Sequence, residues 1–208
     1  MSVGVEQYKE TIDYISKAYD YFNEKLFEGA LIKPVLTINP DVKNKADGWL
    51  TDEKLWKENE NDGGMYELNV SAQFLNRAFS DVAATLIHIM CHQWAKSNGF
   101  QDTARSGSFH NKLFKEIAED HGLNTEYVHG RGWATTTLKE SSAKLVDEFL
   151  EKHPQKLIYR EMLIKPKRVR DVSIRKYVCP YCESSVRATK AVNVVCGDCN
   201  QKMQEEKL

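Results

Sequence analysis

No run of apolar residues in this chain approaches the roughly 20 that a membrane-spanning helix needs. Its first residues, Met1-Ser2-Val3-Gly4-Val5-Glu6, lack both the basic stretch and the apolar segment of a secretion signal. The expectation is a soluble, cytoplasmic protein with no membrane contact. Heptads, internal repeats and low-complexity tracts are missing as well, which argues against a coiled coil or a solenoid. What remains is an ordinary globular composition: 208 residues, 41% of them hydrophobic. That is enough for one core of about 100–200 residues with a small appended module.

Net charge is scarce too, at -1, but the balance conceals a split. Between Lys165 and Lys190 stand Lys165, Lys167, Arg168, Arg170, Arg175, Lys176, Arg187 and Lys190 against only Asp171 and Glu183, a local excess of +6. The rest of the chain therefore carries -7. Clustered cations gain free energy by releasing counterions from phosphates, so Lys165, Lys167, Arg168, Arg170, Arg175 and Lys176 are candidate nucleic-acid contacts. A solubilising charged linker is the alternative.

Cysteines number only five, and four of them form two equal pairs, Cys179-Pro-Tyr-Cys182 and Cys196-Gly-Asp-Cys199, thirteen residues apart. Without a secretion signal this spacing reads as a zinc site and not as a disulfide framework. Each Cys-x-x-Cys turn presents two thiolates to one metal, and β-prone Val192-Asn193-Val194-Val195 leads into the second pair, the pattern of a zinc ribbon. A redox dithiol would not explain why the motif occurs twice. Such a ribbon either staples a tail too small to hold itself together or contacts nucleic acid, with Tyr177 and Tyr181 available for stacking.

Upstream, Ile12, Ile15, Ala18, Tyr19, Phe22 and Leu26 recur at helical spacing over Tyr8 to Phe27, and Glu28-Gly29 ends that helix. Val35 to Ile38 reads as a buried strand, Gly48 through Trp56 as a second and Met65 to Val70 as a third, together a small antiparallel sheet. A helix over Asp81 to Ser97 is expected, with Ser80 or Asp81 as its N-cap and Asn98-Gly99 as its stop. Further helices are expected over Asn111 to Asp120 and Glu140 to Lys152. The fold class is α+β.

The Asp81 to Ser97 helix carries His88 and His92 at i and i+4, one turn apart on one face, where both imidazoles can reach one metal. Alone, such a pair is more readily two ordinary helix histidines. Four features taken in order, however, Tyr21-Phe22-Asn23-Glu24-Lys25-Leu26-Phe27-Glu28-Gly29, the His88 to Trp94 helix, Gly107-Ser108-Phe109-His110-Asn111-Lys112-Leu113-Phe114 and the paired-cysteine tail, make nearly the whole chain resemble SprT-like proteins.

SprT-like proteins are zinc metalloproteases with a compact zincin-like domain, often followed by a zinc ribbon, and eukaryotic relatives cleave proteins crosslinked to DNA. The resemblance implies a first zinc on His88, His92 and His110, ahead of His121 or His129, and a second on Cys179, Cys182, Cys196 and Cys199. It implies a zincin domain over residues 1–138, a helix and basic linker over 139–176 and a ribbon over 177–208, with DNA and DNA-bound proteins as partners. One departure is decisive. The family's His-Glu-x-x-His glutamate accepts the proton of the attacking water and delivers one to the leaving amine, whereas this chain has Ile89, which can do neither. Cys91 lies about 160° round the helix from residue 89 and reads as a core cysteine. No catalytic residue is thus assigned. The expectation is a proteolytically impaired member of the family, with an active DNA-directed protease or a non-enzymatic zinc-ribbon adaptor as alternatives.

Overall fold

In the computed structural model, which describes residues 3–41, 46–161 and 174–206, the first apolar stripe forms helix α1 over Val3–Leu26. Its buried residues Tyr14, Ile15, Ala18, Tyr19 and Phe22 follow the three- and four-residue steps of one helix face. Against that face packs α2, Phe79–Ser97, the most buried helix among the described residues. Among the described residues there are four α-helices and three small sheets, which makes the fold α+β. The chain divides into two compact units, Met1–Met162 and Leu163–Leu208. No helix among the described residues is long and apolar enough to cross a membrane.

In the first unit, β1 (Val35–Thr37), β2 (Gly48–Leu50) and β3 (Glu67–Val70) form a sheet in the order β1-β3-β2. This sheet is mixed, not antiparallel as expected: β1 runs parallel to β3, and β2 antiparallel to it. The long excursion between β1 and β3 supplies the crossover that a parallel pair requires. The second strand is also shorter than expected, because Leu55 and Trp56 are exposed and only an isolated bridge joins Trp56 to Met65. A short 3-10 turn, Ala72–Phe74, comes after β3.

Helix α2 starts at Phe79 with Ala78 at its N-cap, so Ser80 and Asp81 lie inside the helix and cap nothing. Tertiary packing explains the earlier start. Phe79 is buried against Tyr14 and Phe149, with ring centroids 5.1 and 5.5 Å away, and that burial outweighs a side-chain cap. At the other end Gly99 takes left-handed backbone, with a φ of +72. Phe100 N–H donates to the Ala95 carbonyl at 2.8 Å, and Gly99 N–H donates to that of Lys96. This Schellman turn reverses the chain, and Phe100 stacks on Trp94.

The reversed chain forms the hairpin β4 (Thr103–Ala104) and β5 (Phe109–His110), then α3 (Lys112–Asp120), capped by the Asn111 side chain, which accepts from Phe114 N–H at 3.1 Å. A long hairpin, β6 (Leu123–Val128) and β7 (Gly132–Leu138), completes a sheet ordered β4-β5-β7-β6, and α4 (Glu140–Lys152) returns to the core through Val146 and Phe149. After α4 the chain stays on this unit to about Arg160. Ile158 N–H donates to Thr11 Oγ1, and Arg160 N–H to the Ala72 carbonyl.

The second unit is a three-stranded antiparallel sheet of β8 (Arg175–Val178), β9 (Ser185–Ala188) and β10 (Gln204–Glu206), with β8 in the middle. Its core is small: Tyr177, Cys179, Cys196 and Met203.

Two candidate metal centres

One stripe of α2, comprising Asp81, Thr85, His88, Ile89, His92 and Lys96, lines a groove of about 1320 Å³ that β2, β7 and the turn at Ser106 to Ser108 also line. Asp81, Thr85, His88, His92 and Lys96 step by four, three, four and four residues, the spacing of one helix face, and Ile89 adjoins His88 on it. His110 joins His88 and His92 from β5. The three Nε2 atoms lie 3.1 Å apart for His88 and His92, and 3.2 Å for each of the other two pairs.

Two nitrogens bound to one tetrahedral zinc at their usual lengths stand about 3.3 Å apart, so the three imidazoles fit one such ion. Three lone pairs aimed at one point otherwise repel one another. Burial, with the neighbouring His92 and His110 rings, holds the His88 pKa well below its ordinary value, and burial pushes that of His110 down to about 4. Neutral imidazoles are the form that binds metal.

An imidazole that binds through Nε2 keeps its proton on Nδ1, and two of the three have an acceptor there. His92 Nδ1 donates to Asp102 Oδ2 at 2.6 Å, and His88 Nδ1 to Thr136 Oγ1 at 3.0 Å. Asp102 is buried, and the Schellman turn after α2 is what brings it back beside His92. His110 Nδ1 is buried without a partner. Phe114 of α3 lies under all three rings, with centroids 4.6 to 4.7 Å away. His110 is held by its backbone instead: its N–H donates to the Arg131 carbonyl, and β7 crosses it at Gly132. A Cβ on Gly132 would sit 1.9 Å from the His110 carbonyl oxygen, and Gly132 has a φ of +72, so only glycine allows this crossing.

Ile89 is 2% exposed and turns its Cδ1 toward Gly48 of β2, where an added Cβ would come within 2.5 Å of it. The position next to His88 is thus an apolar wall. Cys91 is fully buried on the opposite side of α2, and burial raises its pKa far above the ordinary thiol range. His121 caps the end of α3 and stacks on Phe27, while His129 lies in the β6–β7 turn.

The four cysteines of the second unit also come together, with all four Sγ atoms within 4.8 Å of one another and Cys182 Sγ 3.6 Å from Cys196 Sγ. Two thiolates on one tetrahedral zinc stand about 3.8 Å apart. The two turns repeat one geometry. Cys179 N–H donates to Ser184 and Cys196 N–H to Gln201, while Glu183 N–H and Asn200 N–H return to the carbonyls of Cys179 and Cys196. Glu183 and Asn200, each four residues after the first cysteine of its pair, both take left-handed backbone. Hydrogen bonding between Cys182 Sγ and Ser184 Oγ at 3.2 Å, with that of the Ser184 backbone, lowers the Cys182 pKa to about 6. Both clusters can therefore bind metal ions.

Of the basic candidates, Lys165, Lys167, Arg168 and Arg170 lie outside the described residues. Arg175 and Lys176 stand on β8 and pair with Glu205 and Glu206 of β10 at 2.6 and 2.5 Å. Sequence reasoning passed over Asp102, Phe114, Thr136 and Gly132. A buried aspartate ten residues past His92 leaves no local pattern, whereas Asn98-Gly99 did mark the turn that returns it.

No family model, no curated protein and no solved structure matches this chain. Asp102 provides a direct check on the first centre. Because it accepts the Nδ1 proton of His92 and so orients its ring, Asp102→Asn is expected to weaken metal binding there by about 10–100-fold without affecting the cysteine centre. Competition with a chelator of known affinity measures this, and unchanged affinity would reduce Asp102 to a packing residue.

Proposed function

We propose that this chain is a SprT-like protein whose zincin-like domain holds zinc on His88, His92 and His110 in a peptide-sized groove without cutting what it binds. On the same reading, the cysteine unit is a zinc ribbon that brings the domain to DNA or DNA-bound proteins. The observation that carries this reading is the convergence of three imidazole Nε2 atoms beside an open groove in which the adjoining helix position is the apolar Ile89. Three nitrogens in one centre and four thiolates in the other are donor sets that suit zinc.

When bound, zinc supplies a Lewis acid that can polarise a carbonyl. The fate of a bound polypeptide then depends on the chain's own residues. Asp102 and Thr136 accept the Nδ1 protons of His92 and His88, which fixes both rings with Nε2 toward the groove. Asp102 is committed to that bond and is not free to move a proton for substrate. Ile89 offers no acceptor at the helix position beside His88, so that position cannot take a proton from water and pass it to a leaving amine. Retention of a polypeptide is the outcome that fits.

With Arg175 and Lys176 facing Glu205 and Glu206, attraction to DNA rests on Lys165, Lys167, Arg168 and Arg170. Metal analysis of the purified chain tests the reading. Two zinc ions per chain are expected, with one lost in His110→Ala and the other kept, and no peptide-bond cleavage of DNA-bound proteins. A single zinc that His110→Ala leaves in place, or metal-dependent proteolysis by the chain with Ile89 intact, would overturn it.

A further inference from the structure

We propose that the His88, His92 and His110 centre is a carboxylate receptor, and that its ligand is the C-terminal carboxylate of a peptide lying in the groove. This inference rests on the reading of the three histidines as a metal site and goes on to name what the site takes. Three neutral imidazoles leave the whole charge of a divalent ion uncancelled. The carboxylate that touches the ligand set is that of Asp102, on the far nitrogen of His92, so the centre presents a net charge of about +1 to the groove.

Ile89 decides the sign of what can approach. A carboxylate at that helix position would stand beside the cation and repel a second anion. Instead the wall is an isoleucine packed on Gly48, with no charge and no hydrogen-bonding group. Apolar surroundings also strengthen the attraction between the centre and an incoming anion, because less water screens it.

The remaining charges of the groove favour a monoanion over phosphate. Phosphate dianions are held by free guanidinium forks. The fork of Arg77 is engaged with Asp47 at 2.7 Å, with Thr85 Oγ1 and with the Phe74 carbonyl, and Lys96 is paired with Asp52 at 2.9 Å. Among the described residues, Arg131 is the one further lysine or arginine side chain that lines the groove, and four aspartates besides Asp102 line it with these three cations. A singly charged group matches the centre's charge of about +1, whereas the second charge of a dianion meets four aspartates against three cations. A groove of about 1320 Å³ exceeds the roughly 300–1,000 Å³ of small-molecule pockets, which favours a chain end over a free organic acid.

The experiment uses the full chain loaded with zinc, its zinc content measured first, and calorimetric titration with trialanine bearing either a free C-terminal carboxylate or a C-terminal amide. The acid is expected to bind about tenfold tighter than the amide or better, as one charge-assisted contact supplies. That preference should vanish in His110→Ala. It should also fall about tenfold in Ile89→Glu and survive in large part in Ile89→Gln, which matches the glutamate in size but carries no charge. Equal binding of acid and amide by a two-zinc chain would overturn this proposal alone. So would a preference that Ile89→Glu leaves intact, or inorganic phosphate binding tighter than the acid. A chain with one zinc before peptide is added would overturn the metal reading, and this proposal with it.

Discussion

Ile89→Glu is expected to raise peptide-bond cleavage by about 10²–10⁴-fold over the starting protein, self-cleavage included and most clearly with DNA present. On the proposed reading, the chain already has three metal-binding imidazoles, an aspartate that fixes one ring and a groove large enough for polypeptide. What it lacks is a proton carrier. Residue 89 lies on the groove-facing stripe of α2, directly after His88, so a carboxylate there would stand beside the centre. The exchange also removes a well-packed isoleucine and costs about 1.5–3 kcal/mol of apolar burial. The variant's thermal unfolding and zinc content therefore accompany its cleavage assay. The same change combined with His110→Ala should be inert. If Ile89→Glu folds, carries both zincs and cleaves nothing across a broad panel of DNA-bound proteins, the loss of a glutamate does not by itself account for an inactive groove.

A second large effect is expected in the small unit. Removing one thiolate with Cys179→Ser should unfold residues 174–206 and leave residues 3–161 intact. The reason is the size of the core. Tyr177, Cys179, Cys196 and Met203 are its buried side chains, with Ala188, Val194 and Cys199 packed on them, and two of the four are themselves metal-site cysteines. Ordering each residue of such a unit costs about 1–2 kcal/mol of backbone entropy, which this much apolar burial cannot offset. A structural zinc contributes about 10–16 kcal/mol in comparable small domains. Hydrogen exchange resolves the two units in one experiment. The Cys196 amide, bonded to Gln201, and the Cys179 amide, bonded to Ser184, should lose protection in the variant while the α2 amides keep theirs. Full protection at Cys196 in a zinc-depleted variant would show that the β8, β9 and β10 sheet holds itself together.

Periodicity made the helices legible. The α4 bounds, Glu140–Lys152, were readable from pattern and the proline at 154, and α3 was readable from Asn111, whose side chain caps it. The start of α2 was not, because Phe79 is drawn into the helix by Tyr14 and Phe149, residues 65 and 70 positions away by number. The β6–β7 hairpin left only a weak trace in Tyr127-Val128 and Trp133 to Thr137, yet it supplies Thr136 and Gly132 to the first centre. Short strands with half-exposed faces give little period to read.

By itself the sequence determined the chemistry available: two cysteine pairs at equal spacing, two histidines one helical turn apart, and an isoleucine directly after the first of them. Those are local facts, set by residue type and by the 3.6-residue turn. His110 was implied by the resemblance, and tertiary structure alone decided which other distant groups complete the centre. His110 sits on a strand that pairs with β7 at Gly132, Asp102 arrives through a helix-ending turn, Phe114 from the next helix and Thr136 from a hairpin. None of these has a fixed spacing from His88, because contacts between elements depend on how whole faces pack and not on the number of residues between them.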